Sequence, residues 1–143
     1  MNTIVIENEL VVCELDSTHQ ILKHRWKKNP TSEEFRNQLM GLQQEYVRLK
    51  PAHPQLKWLA DTKLLGEITY EDEKWLENIW EHLLFEEAGV RVHAVILSDD
   101  IFPDYSMEKF KIQSDKKYAK KGASIGVFLD EESAYEWLIK NGQ

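Results

Sequence analysis

The side chains able to do chemistry in this sequence are few and scattered. The five histidines, His19, His24, His53, His82 and His93, are scattered, and a metal site could only be assembled by tertiary contact. His19 and His24 are an odd number of residues apart on or beside one extended segment, which turns them to opposite faces. Asp61 with His24 or His93 would make an acid–base pair only if the fold assembled it, and no nucleophile accompanies them. The sequence has no phosphate-cradling glycine loop, nucleophile elbow, dinucleotide fingerprint or Cys-x-x-Cys pair. The expectation is a non-enzyme with no cofactor and no metal.

The aromatic residues are more suggestive. Trp75 and Trp80 are five residues apart, about 140° around an α-helix, so they cannot both occupy the centre of one buried stripe. Trp75 is expected at the stripe's edge or outside it. With Trp58, Trp80 and Phe102 it would line a pocket for an apolar or lipid-like ligand, or form an interface patch.

Charge is placed unevenly as well. The chain of 143 residues carries a formal charge of −7. All of it resides between Glu67 and Glu87, where eight acids meet one base, Lys74, and the remainder is neutral. A basic stretch, Glu108 to Lys121, holds six lysines and two acids. An acidic balance argues against binding a nucleic-acid backbone, and an acidic helix suggests docking of a protein partner or complementary self-association. Cys13 is the only cysteine, which excludes an intramolecular disulfide and suits a reducing compartment. Met1 to Glu9 has no signal-peptide pattern, and the longest aliphatic run, Ala94 to Leu97, is far short of a membrane span. A cytoplasmic protein is expected.

The elements that must position these residues follow from periodicity. Thr3 to Ile6, Leu10 to Leu15 and Gln20 to Lys28 are β-rich runs separated by polar turns, giving an antiparallel meander with Val11, Cys13 and Leu15 on one face. Thr31 and Glu34 have capping-box spacing ahead of Phe35, Leu39, Leu42, Tyr46 and Leu49, an apolar helical stripe ended by Pro51 and Pro54. Leu56 to Asp61 is a buried strand. A second helix starts at the N-cap Thr69, turns Leu76, Ile79, Trp80 and Leu83 inward, and stops at Gly89. Val90 to Ser98 forms a central strand, Ser106 to about Lys121 a third helix, Ser124 to Leu129 a last strand, and Asp130 caps a final helix that buries Ala134, Trp137 and Leu138. The order is β-β-β-α-β-α-β-α-β-α over a single domain, residues 1–143. It predicts an α/β fold with one mixed sheet that opens on the meander and continues in parallel.

Trp58-Leu59-Ala60-Asp61 at a strand end, Glu71-Asp72 with Trp75, Leu76 and Trp80, and the C-terminal run Val127 to Leu138 resemble the SpoIIAA-like group of small bacterial proteins. That group is similar to STAS domains, which include the anti-sigma factor antagonists, and has been grouped with Sec14-type lipid-binding domains. The resemblance implies a STAS-like fold and a role in signalling. In the antagonists a Ser or Thr in the loop after a central strand is phosphorylated, and the matching residue here is Thr62. The following Ser/Thr-Gly of that pattern is missing. The expected function is a non-catalytic interaction module that contacts a partner through Asp61, Thr62, Thr69, Glu71, Glu73, Trp75 and Glu77. The alternative is a small apolar or lipid-like ligand held by Trp58, Trp75, Trp80 and Phe102.

Overall fold

Side-chain alternation and two strongly amphipathic helices dictate a sheet covered on both faces, which is what the protein forms. The computed structural model describes residues 2–97 and 122–141. Six strands, β1 (Asn2–Glu7), β2 (Val11–Asp16), β3 (Ile21–Trp26), β4 (Lys57–Asp61), β5 (Val92–Ile96) and β6 (Ser124–Phe128), lie side by side in chain order. The first three are antiparallel, and β3 through β6 are parallel. Parallel neighbours need long crossovers, and helices supply them after β3 and β4. The expected third helix, Phe102 and the basic stretch lie outside the described residues.

The first crossover is α1 (Ser32–Leu49). Thr31 Oγ1 accepts from the Glu34 N–H at 3.2 Å and the Glu34 carboxylate accepts from the Thr31 N–H at 2.9 Å, so the capping box is complete. Phe35, Leu39, Leu42 and Tyr46 are buried as the stripe requires, and Leu49 packs at its end. These side chains meet Val11, Cys13, Leu15, Leu22, Trp26 and Trp58 from one face of the sheet. The opposite face presents Ile21, Leu59, Ala94 and Ile96 to Ala134 and Leu138 of α3 (Glu131–Asn141). Asp130 caps α3, accepting from the Ser133 N–H at 2.7 Å. Trp137 is half-buried against Phe128, and at Gly126 a Cβ would lie 2.7 Å from the Phe128 ring.

The second crossover departs from its expected winding. It begins as α2 (Tyr70–Trp75), with Thr69 Oγ1 accepting from the Asp72 N–H at 3.1 Å, then continues as two π-wound segments, Leu76–Trp80 and His82–Glu87. The N–H groups of Glu81 and Ala88 donate to carbonyls five residues back, at Leu76 and Leu83. This moves the buried face. Ile79, expected inward, is 48% exposed, while Leu84 and Phe85 enter the core with Trp80, and Leu76 and Leu83 are half-buried. Gly89 (φ +73°) ends the helix in the left-handed region as expected, and Arg91 donates to the Phe85 and Val90 carbonyls at 2.9 and 3.0 Å.

Candidate functional site

The chemistry-bearing residues converge on the sheet face beneath the two crossover helices. Strand register decides this. His24 on β3 is level with Ala60 of β4, and Trp58 of β4 is level with Leu22 on one side and His93 of β5 on the other. Alternation therefore puts His24, Trp58 and His93 on the same face. Trp58 sits between the two imidazoles, at ring-centroid distances of 5.5 Å from His24 and 6.3 Å from His93, both edge-on. Tyr46 (5.6 Å) and Trp80 (5.9 Å) close the ring of neighbours from above.

The two histidines differ in kind from surface ones. His24 is buried with Trp26 and Trp58 at its edges, because Phe35 and α1 cover the β3 face. Burial, aided by the neighbouring His93, pulls its pKa down to about 3. Burial alone lowers His93 to about 4. Both imidazoles are neutral at ordinary pH. His93 as a residue is half-buried, but its two ring nitrogens are shut off from solvent, and neither has a hydrogen-bond partner among the described residues. Its flanks are the rings of Trp58 and Phe85, the latter at 6.2 Å. An unmet buried donor or acceptor costs about 1–3 kcal/mol, so this is an expensive place for a histidine. Cys13, level with His24, is an inert core thiol whose pKa burial pushes up to about 12.

Asp61 cannot pair with these histidines, nor can it touch a partner. It follows Ala60 on β4 and so projects from the opposite face, where it is buried; Oδ1 accepts from the Lys63 N–H at 3.1 Å and Lys63 Nζ lies 3.4 Å from Oδ2. The expectation of Asp61 as a contact residue is thereby corrected, and the fold does not assemble Asp61 with His24 or His93. Alternation forbids what sequence proximity to the loop suggested. Thr62 is half-buried, and its hydroxyl donates to the Ile96 carbonyl at 2.6 Å, tying the loop to the end of β5. The second helix starts eight residues later, at Tyr70.

The acidic segment is real as a surface but smaller than its composition. Glu67, Glu71, Glu73, Glu77, Glu86 and Glu87 are exposed, whereas Asp72 and Glu81 are buried. Asp72 joins the two crossover helices: it accepts from Ser32 Oγ at 2.7 Å and Arg36 Nε at 2.8 Å. Burial raises its pKa, but these bonds, the Thr69 hydroxyl and the Arg36 charge outweigh that and hold it below the usual carboxylate range.

Around the exposed acids lie apolar side chains. Tyr70 is 62% and Leu64 57% exposed, and Ile79 stands between the glutamates. Trp75 is half-buried at the rim, as expected, yet it stacks face to face on Trp80 (6.1 Å, 18° between planes), which α-helical spacing does not permit. The wider π winding brings residue i+5 closer in angle than an α-helix does and makes the contact. Arg36 covers the Trp75 ring at 5.5 Å. Of the expected pocket residues, Trp58 and Trp80 are core, Trp75 is rim, and Phe102 lies outside the described residues.

Among the described residues no group of three His, Cys, Asp or Glu is disposed to hold a metal, and no helix is long and apolar enough to cross a membrane.

The architecture defines the class. A six-stranded mixed sheet with this connectivity is SpoIIAA-like, and a solved structure bears this out: an uncharacterised DUF3478-family protein with a SpoIIAA-like fold from Shewanella loihica PV-4 superimposes with a TM-score of 0.57 over 95% of this chain and 99% of that one. Sequence identity is 13%, so the likeness is one of fold. No family model and no curated protein matches the sequence.

Proposed function

We propose that this protein is a non-catalytic interaction module that docks a protein partner on the exposed face of its second helix. The observation that carries this reading is one helix on which Glu71, Glu73 and Glu77 are exposed together with Tyr70 and Ile79, with Trp75 half-buried. Exposed aromatic and aliphatic side chains on a helix that also exposes acids favour a partner segment that is basic and apolar, drawn in by charge and held by ring contacts. The preceding loop contributes Leu64 and Thr69, both exposed, in place of the buried Asp61. Trp75 arrives already ordered by Trp80 and Arg36, which reduces the entropy lost on docking.

The test is capture of partners from an extract of the native cell on immobilised protein. The same partner should be lost from Trp75→Ala and from the triple reversal Glu71→Lys, Glu73→Lys, Glu77→Lys. It should be retained by Glu132→Lys, an exposed acid on α3. Retention by the first two variants overturns the reading.

A further inference from the structure

The two edges of the sheet are built differently. β1 carries two devices that discourage pairing with another chain, a bulge between Ile4 and Ile6 and the acid Glu7. β6 carries neither. Its residues, Ser124-Ile125-Gly126-Val127-Phe128, hold no charge and no proline and run in unbroken register with β5. Among the described residues no strand lies beyond it.

The register with β5 fixes which backbone groups β6 turns outward. The Ser124 N–H donates to the Arg91 carbonyl at 2.8 Å, and the Phe128 carbonyl accepts from the Leu97 N–H at 2.9 Å, so Ser124, Gly126 and Phe128 bond inward. In a parallel ladder the alternate residues, Ile125 and Val127, direct N–H and C=O away from β5. A second β6 laid antiparallel, with a two-fold axis at Gly126, sets Ile125 opposite Val127 on both sides of the axis. Each such pair exchanges two hydrogen bonds, so every outward group of both strands is met. The side chains agree with this axis. Gly126 would face its own copy as a non-hydrogen-bonded pair, the closer kind, with Cα atoms about 4.5 Å apart. The Phe128 and Trp137 rings lie over Gly126, where a Cβ would be 2.7 Å from the first and 3.0 Å from the second. Both rings are half-buried in the single chain, and the adjoining Leu129 is 45% exposed.

We infer that two copies of this chain dimerise through β6, antiparallel about Gly126, joining two six-stranded sheets into one. One axis satisfies the outward backbone groups and brings the two Phe128–Trp137 pairs side by side, and no strand charge opposes it. A strand from an unrelated protein would meet the backbone groups but not the aromatic pair. The interface is separate from the acidic docking face, since Phe128 and Trp137 pack on the α3 side of the sheet and the second helix on the other.

The test is the mass of the full chain by light scattering across a dilution series, with amide hydrogen exchange read at the same concentrations. The wild type should show twice the chain mass and dissociate on dilution. The Ile125 and Val127 amides should be protected in the dimer and lose protection on dilution, while those of Gly126 and Phe128, bonded to β5, stay protected throughout. Val127→Pro removes an outward donor and no bond to β5, and should fall to the single-chain mass with an unchanged circular dichroism spectrum. Trp137→Glu, which sets like charges across the axis, should do the same, and the Glu71/Glu73/Glu77 reversal should leave the dimer intact. Should the first two variants fail to fold, the concentration dependence of the two wild-type amides decides. A single-chain mass at about 1 mM protein, a dimer that survives Val127→Pro, or Ile125 and Val127 protection unchanged by dilution would each overturn the inference.

Discussion

His24 and His93 dominate at the scale of single residues, because each is stored neutral inside an aromatic layer. Their folded pKa values, about 3 and about 4, lie below the ordinary value of 6.5. The unfolded chain therefore takes up protons first as pH falls, and stability declines from about pH 6.5 down to about pH 4 for His93 and about pH 3 for His24, and is insensitive to these groups above neutrality. Between pH 7 and pH 5 each histidine should remove about 2 kcal/mol, read as a shift in the urea midpoint. His93→Phe should halve that pH dependence. It should also raise stability at pH 7 by about 1–3 kcal/mol, since two unmet polar atoms disappear. Gly66 is a second residue-scale constraint. Its φ is +80°, and a Cβ there would lie 2.7 Å from Asn29 Nδ2, which donates to the Leu65 and Glu67 carbonyls at 2.5 and 3.1 Å. Gly66→Ala should cost more than about 1 kcal/mol in the same assay.

At the scale of elements, the second helix is where expectation and structure part. A period of 3.6 residues assigns Ile79 to the core; i→i+5 winding turns it out and brings Leu84 and Phe85 in. Ile79→Ala should accordingly change unfolding free energy by no more than about 0.5 kcal/mol, and Leu84→Ala should cost about 2–5 kcal/mol. The reverse order would restore the α-helical stripe. α1 and the C-terminal helix were legible in detail because capping residues and apolar stripe agree there, at Thr31 and Glu34 and at Asp130 with Ala134 and Leu138. In the second helix the local signals conflict, and tertiary contacts decide: Gln43 donates to the Leu83 carbonyl at 3.1 Å and Asp72 clamps the helix start to Ser32 and Arg36. Asp72→Ala should cost about 2–3 kcal/mol at pH 7, because charge-assisted bonds are lost. Its depressed pKa means that this contribution is present above the unfolded carboxylate pKa and is lost as pH falls on through the lower folded one.

For the whole molecule, net charge and stability are separable. Reversing Glu71, Glu73 and Glu77 moves the formal charge from −7 to about −1, yet all three are exposed, and the Lys74–Glu77 pair at 3.4 Å is a surface contact of little worth. That variant should unfold within about 0.5 kcal/mol per site of the wild type while failing to retain its partner, the combination expected of a recognition surface.

The sequence by itself determined the order of elements along the chain, the antiparallel opening, the capped helices and the alternation of faces in the opening strands. Those depend on alternation, periodicity and capping, which are local. Only the tertiary structure decided that Asp61 is buried on the face opposite His24 and His93, that two of eight acids are internal, and that Trp75 meets Trp80. Register between strands distant in the chain and the winding of a helix under contact from its neighbours are collective properties. No spacing within one segment encodes them.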